Sequence, residues 1–460
     1  VQEKETGALR KVYFIGIGGI GMSALARYFH SKGIAVSGYD KTETPLTKAL
    51  EQEGIPVHYE DDINEAPKDA DWVVYTPAVP KNHKELNFYK ERGYTVLKRS
   101  EVLQQITESS FNICVAGTHG KTTTTTMIAH LLRDSGYGCN AFLGGIAANY
   151  NTNFWGSEKE VCVIEADEYD RSFLRLSPDI AVVTAVDPDH LDIYGTEENV
   201  RRAFADFAQR LKPGGLLIRK LGIGKELKAE RMWQYSLQND QANAYAANIK
   251  IEDGGYRFDA VLPSQIIDGV RLNMGGMHNV ENMIAAITVA SSLNIDQDKI
   301  KAAVASFKGV KRRFEYIIRR KGLVFIDDYA HHPEELKALI NGVKTLFPQE
   351  KCTLIFQPHL YSRTKDFAQE FAAVLSRVDK LILLPIYPAR EQPIPGIESN
   401  RIAEKMDGGA PEIMTKDELL DWVGNEFSEK RNRAFGEVII TAGAGDIDKL
   451  VGLIKSSLEN

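Results

Sequence analysis

Residues 114–126 read CVAGTHGKTTTTT, a glycine-bearing turn and one lysine set between a strand-like apolar run and a helix-like repeat. Phe111–Ala116 reads as a short buried strand. Met127, Ile128, Leu131 and Leu132 then recur at helical spacing in a segment that ends near Gly136. Gly117 and Gly120 therefore fall in the turn. There, successive backbone N–H groups can point at phosphate oxygens, and the positive end of the helix adds attraction for an anion. Lys121 is placed to reach the outer phosphates, and Thr122 offers a hydroxyl where a P-loop holds magnesium. The loop is a short variant, because Val115 stands where the full pattern has glycine.

Outward from this loop, the chain has room for several cores. Its 460 residues exceed what one hydrophobic core ordinarily supports, and roughly two to four domains are expected. A 43% apolar fraction is that of a globular protein. A formal net charge of −7 argues against a general nucleic-acid binder while allowing a local cationic pocket. Cys114, Cys139, Cys162 and Cys352 lack paired metal-ligand spacing, as in a reduced compartment. No apolar run approaches the ~18 residues of a membrane span. The opening VQEKETGALRK has no signal-peptide core, so no membrane association and a cytoplasmic location are expected. Monomer and dimer both stay open.

The first block opens with KVYFIGIGGIGMSALARYFHSKG, residues 11–33, a strand, a glycine turn and an amphipathic helix. Gly16, Gly18 and Gly21 satisfy G-x-G-x-x-G, with Gly19 inside the same loop. A second strand, Ile34–Tyr39, ends at Asp40, close to the spacing at which dinucleotide folds place a ribose-binding acid. Taken alone, this is the fingerprint of an NAD-dependent oxidoreductase. A packing turn that binds nothing is the plainer alternative. Ala70–Thr76 and Tyr94–Leu97 read as further strands.

In the second block, VCVIEADEYD (161–170) delivers Glu165 and Asp167 to a strand's carboxyl end. IAVVTAVDPDHLDIYG (180–195) does the same for Asp187, Asp189, His190 and Asp192. Ligands of open parallel sheets sit at that edge, so these groups should converge on the P-loop, where a hard cation such as Mg2+ suits carboxylate, hydroxyl and phosphate oxygens. His190 is a less usual ligand. The third block repeats a strand-then-helix rhythm: GLVFIDDYAHHPEEL (322–336), CTLIFQPHLYSRTKDF (352–367), KLILLPIYPA (380–389) and EVIITAGAGDIDKLVGLI (437–454). Asp327, Asp328, Tyr329, His331 and His332 follow one strand; His359, Tyr361 and Arg363 follow the next. Adjacent histidines cannot easily share one ion, which favours substrate contact over a metal. Gly443 and Gly445 suit a packing turn. The expected fold class is α/β in three domains: a Rossmann-like domain over 1–108, a central P-loop ATPase-like domain over 109–311 and a Rossmann-like domain over 312–460.

These blocks, with GIGGIGMSALA, GTHGKTTTT, DHLDIYG, GMHNVENMIAA, DDYAHHP and FQPH-x-x-SRT in that order, resemble the Mur ligase family over nearly the whole chain. Within it they are most similar to members that add L-alanine to UDP-N-acetylmuramate. The resemblance implies that ATP phosphorylates the muramyl carboxylate and that the alanine amine then attacks the acyl phosphate. It implies an ATP site at Gly117, Thr118, His119, Gly120, Lys121, Thr122 and Thr123, with His278 and Asn282 on the adenine side and Arg313 reaching the phosphates. Mg2+ would be held by Thr122, Glu165 and His190, and Lys121, Glu165, His190 and Arg313 would carry the chemistry. UDP rather than NAD would occupy Gly16, Gly18, Gly19, Gly21, Asp40 and Thr76, with His190 beside the sugar acid. Tyr329, His331 and Arg363 would take the amino acid, while Leu360 departs from relatives with a second arginine there. Asn149, Asn151 and Asn153 lie in the stretch that should face the sugar and phosphates, and the choice among them stays open. A ligase attaching an intact peptide to the same sugar during wall recycling shares most of these motifs, and an ATPase switch shares the P-loop alone.

Overall fold

The computed structural model describes residues 9–169, 171–188, 191–389, 391–406, 411–427, 429 and 434–459, the side chains of 191 and 192 excepted. The first sheet holds β1 (Lys11–Ile15), β2 (Ala35–Tyr39), β3 (Val57–His58), β4 (Trp72–Tyr75) and β5 (Thr95–Lys98) in the parallel order β3-β2-β1-β4-β5. The order reverses beside β1, so the glycine loop that follows β1 opens at the switch point where such sheets bind ligands.

The second sheet comprises β6 (Phe111–Ala116), β7 (Asn140–Ala147), β8 (Thr152–Trp155), β9 (Val161–Glu165), β10 (Ile180–Val183), β11 (Leu216–Lys220), β12 (Arg231–Ser236), β13 (Ala244–Glu252), β14 (Gly255–Val261) and β15 (Ile266–Leu272). Their order is β15-β14-β13-β12-β11-β10-β6-β9-β7-β8. Three parallel neighbours matter most: β10 and β9 flank β6, with Val183 level with Ala116 and Glu165 level with Val115. The P-loop, the acidic turn and the Thr184 turn therefore leave one edge side by side. The Lys121–Asp134 helix ends close to the expected Gly136, and Met127, Ile128, Leu131 and Leu132 are all fully buried. Its threonine run is buried as well. Thr125 and Thr126 turn their hydroxyls to the carbonyls of Lys121 and Thr122, at 2.8 and 2.7 Å.

The third sheet runs β16-β17-β21-β18-β19-β20, from β16 (Glu315–Arg320), β17 (Leu323–Asp328), β18 (Lys351–Phe356), β19 (Lys380–Leu383), β20 (Glu412–Ile413) and β21 (Glu437–Ala442). Only β16 pairs antiparallel, with β17. All four apolar runs of the third block are strands here. Among the described residues no helix is long and apolar enough to cross a membrane.

By its internal packing the chain divides into two compact units, Val1–Ala247 with Asp259–Asp268 and Glu281–Val304, and Asn248–Phe258 with Gly269–Val280 and Ala305–Asn460. The first sheet and strands β6–β12 of the second thus share a unit, while β13, β14 and β15 are divided between the two. The Ile20–Ser31 helix, which starts at the glycine loop, packs on β7 and β8. Tyr28 meets Phe142 and Phe154 with ring centroids 5.2 and 6.1 Å apart. The fully buried Asn153 donates to the carbonyl of Ile20 (2.5 Å) and to Ser23 Oγ (3.0 Å) and accepts from Arg27. Arg27 in turn clasps Glu53 at 2.6 and 2.7 Å. Asn153 is therefore a structural fastener rather than a sugar contact. Asn151 lies in the hairpin turn before β8, with φ of 53°.

Burial also sets a pH dependence in the first sheet. Glu85 is fully enclosed, accepts from the Tyr13 hydroxyl and lies 3.7 Å from His58 Nε2. Loss of hydration pushes its carboxyl up from 4.5 to about 7, against the Tyr13 hydrogen bond, which favours ionisation. A raised carboxyl contributes stability that is complete below the unfolded value and is lost as pH rises through the folded one. Glu85→Gln keeps an acceptor for Tyr13 and removes the titration. Its urea midpoint should gain on that of the wild type between pH 5 and pH 8, by on the order of 2 kcal/mol in stability; equal midpoints at both pH values would refute this.

Candidate active site

The P-loop turn owes its shape to two glycines in backbone regions that side chains avoid, Gly117 at φ +142° and Gly120 at φ +80°. A Cβ on Gly117 would lie 2.1 Å from Thr184 Oγ1, so the loop and the turn after β10 are in intimate contact. Thr184 secures that contact by donating to the carbonyl of His119 at 2.5 Å. Thr118 accepts from the amide of Asp187 at 3.1 Å. His119 and Asp187, both exposed, stand 3.7 Å apart. Asn282 lies against Gly120, its Oδ1 3.1 Å from where a Cβ would stand. That places the expected adenine-side asparagine at the loop. His278 belongs to the same Met277–Ser292 helix and lies over Gly276.

Each of the first two helix residues meets its own carboxylate. Thr122 Oγ1 is 2.9 Å from Glu165 Oε1, and Lys121 Nζ is 2.7 Å from Glu168 Oε1. Glu165 is held from behind by the amide of Gly144, 3.1 Å from Oε2. The structure therefore brings Lys121, Thr122 and Glu165 together as expected. His190 and Asp189 lie outside the described residues. Among the described residues no trio of His, Cys, Asp and Glu forms a ready metal cage. Two hard oxygens, from Thr122 and Glu165, do converge, and they suit magnesium in partnership with phosphate.

Gly144 has no room for a side chain, because a Cβ there would lie 2.3 Å from Glu165 Oε2. Gly144→Ala should push the carboxylate off Thr122 and lower turnover by about 10²-fold, the usual order for a displacement near 1 Å. Steady-state kinetics beside a thermal melt would check it; full activity in the folded variant would refute the role given to Glu165.

At the first glycine loop, Asp40 accepts from the amides of Gly18 and Thr42 at 2.8 and 3.2 Å. It shapes the loop with the oxygens that a ribose would also use. Thr76 packs on Gly16, its methyl carbon 3.3 Å from a built Cβ. The sequence reading missed Arg99, which covers Gly21 with Nη1 3.1 Å from a built Cβ.

In the second unit, the adjacent Arg312 and Arg313 part ways. Arg312 donates to Asp327 (3.3 Å) and to the carbonyl of Gly443, and covers the Tyr329 ring at 5.1 Å. Arg313 is exposed. The paired histidines also separate. His332 caps the Pro333–Leu346 helix, while His331 faces Tyr329 and His359, with ring centroids 5.2 and 5.8 Å away. His359 stacks on Tyr387 at 5.8 Å and lies 3.4 Å from Arg363 Nη1. Tyr329, His331 and Arg363 thus form one cluster, joined through His359. Burial, the largest cause, lowers both imidazoles below their ordinary 6.5, and each also feels Arg363. They are neutral at pH 7. Leu360 beside them takes φ +71°, a strained value for a branched side chain, held by its amide on the Tyr387 carbonyl at 2.9 Å.

Known proteins resemble this chain over nearly its whole length. Residues 11–110 match the sequence model of the Mur ligase family catalytic domain, 115–290 that of the Mur ligase middle domain, and 312–447 that of the Mur ligase glutamate ligase domain. The chain is 46% identical to the UDP-N-acetylmuramate–L-alanine ligase of Porphyromonas gingivalis W83, across 98% of this chain and 99% of the relative. It is 48% identical to the ligase of the same name from Cytophaga hutchinsonii, across 97% and 96%. Among solved structures, the UDP-N-acetylmuramate-alanine ligase of Thermotoga maritima superposes with a TM-score of 0.80 at 26% identity, covering 98% of this chain and 99% of that one. Sequence and fold agree from one end to the other: the chain belongs to the Mur ligase family.

Proposed function

We propose that this chain joins L-alanine to UDP-N-acetylmuramate with conversion of ATP to ADP and phosphate, as a step in peptidoglycan precursor synthesis. The meeting of Lys121, Thr122 and Glu165 at the strand edge carries the reading, because phosphoryl transfer to a carboxylate crowds negative charge that only concentrated positive charge can stabilise. The Mur ligase family uses ATP. The full-length relatives named for alanine addition support the choice of substrates.

A carboxylate oxygen of the sugar acid attacks the γ-phosphorus and ADP leaves; the alanine amine then attacks the acyl carbon and phosphate leaves. In this reading the loop residues Gly117, Thr118, His119, Gly120 and Thr123 cradle the polyphosphate, Lys121 and Arg313 face its charge, and Asn282 and His278 flank the adenine. Thr122, Glu165 and His190 would hold magnesium, which when bound neutralises phosphate charge and templates the two reactants. Gly16, Gly18, Gly19 and Gly21, with Asp40 and Thr76, receive UDP. Tyr329, His331 and Arg363 receive alanine. We draw the domain boundaries at 108/109 and 311/312. We place the enzyme in the cytoplasm, where its four buried, unbridged cysteines stay reduced.

Phosphate release with UDP-N-acetylmuramate, ATP and magnesium, run against each amino acid and against a tripeptide, tests the proposal. L-Alanine should stimulate release most. Stimulation by the tripeptide alone would replace it with the recycling ligase, and release indifferent to both substrates would replace it with an ATPase switch.

A further inference from the structure

The loop lysine is already engaged. Its Nζ lies 2.7 Å from Glu168 Oε1 and 2.8 Å from the Gly117 carbonyl oxygen, with 14% of the Lys121 side chain exposed and 1% of Glu168. Glu168 is fixed from its own backbone. Its carbonyl accepts from the Tyr194 hydroxyl at 2.6 Å and from the amide of Arg171 at 2.9 Å. An enclosed carboxylate needs a countercharge. Burial pushes the Glu168 carboxyl up, and the adjacent ammonium opposes that push. The last residue of β9, just before the turn that carries Glu168, is the Glu165 that meets Thr122, so the metal-side and lysine-side tasks fall to different acids three residues apart.

We propose that Glu168 is a positioning residue for Lys121: it aims the ammonium across the loop and shares it with the incoming polyphosphate. The proposal rests on the reading of this loop as a polyphosphate site. Two consequences pull in opposite directions. A buried negative charge beside the phosphates weakens their binding, so its removal tightens binding. The same removal frees the lysine to wander, and a misaimed countercharge slows transfer. A merely structural acid would move neither quantity in a folded variant.

The test uses the full chain, with ADP as the binding probe in calorimetry and alanine-dependent phosphate release for turnover. Glu168→Gln keeps an oxygen facing Lys121. We expect its ADP dissociation constant to fall roughly three- to tenfold and its kcat to drop at least about tenfold, with KM for L-alanine unchanged. In a Lys121→Ala background no ammonium is left to aim or share, so adding Glu168→Gln should change ADP affinity less than it does in the wild type. Glu168→Asp retains the charge but withdraws it by one carbon; its kcat should fall without any gain in ADP affinity, and it carries the test if the glutamine variant does not fold. A folded Glu168→Gln protein with wild-type kcat, or with ADP binding equal to or weaker than wild type, overturns the proposal, as does wild-type kcat in Glu168→Asp. Wild-type protein that bound no ADP would overturn the loop reading and this role together. ADP binding without alanine-stimulated turnover would overturn only the choice of substrates, leaving the affinity arm to decide on Glu168.

Discussion

Lys121→Ala should yield a folded protein whose amide formation falls by at least about 10³-fold, the scale on which cationic groups at a transferring phosphoryl act. The helix that begins at Lys121 is anchored by buried Thr123–Thr126 and by Met127, Ile128, Leu131 and Leu132, none of which depends on the lysine. Glu168 loses its partner in the variant but need not stay charged, because burial already favours its protonated form. Chemistry should therefore collapse while the fold survives. Phosphate release and amide product, measured beside a thermal melt, give the answer. Product at near wild-type rate from a folded variant would refute the assignment of the loop.

The second large effect belongs to Arg363. With both neighbouring imidazoles neutral at pH 7, the guanidinium beside His359 supplies that cluster's standing positive charge for a carboxylate. Arg363→Ala should raise KM for L-alanine by roughly 10²-fold, equivalent to about 3 kcal/mol for a lost two-pronged contact, while KM for ATP holds steady. Arg363→Lys should recover only part, since an ammonium lacks the planar fork. If the KM values for ATP and alanine rose together, the amino-acid pocket would have to be sought elsewhere.

The strand Phe111–Ala116 and the helix after the P-loop were legible because an apolar run and a 3.6-residue repeat leave direct marks on a sequence. The convergence of Glu165 on Thr122 was legible too, from the rule that parallel strands gather ligands at their carboxyl ends. Glu168 escaped notice for a physical reason. It and Asp167 are adjacent acids in one turn, and only the folded turn decides which is enclosed and which stays half-exposed. The division between Arg312 and Arg313 was hidden in the same way until Asp327 and Gly443 claimed the first of them. The three nearby asparagines differ only in their place along a hairpin, and that place directs Asn153 inward.

That inward asparagine limits how this enzyme could be rebuilt. Evolution and engineers often treat a nucleotide-sugar module as a cartridge, exchanged to alter what a catalyst accepts. Here a cartridge cut at 108/109 would arrive with a foreign helix and leave a fully buried amide facing groups it was not matched to. Swapped modules should succeed only when the 140–155 hairpin travels with them, so new sugar preferences are more readily sought in the loops than by shuffling whole folds.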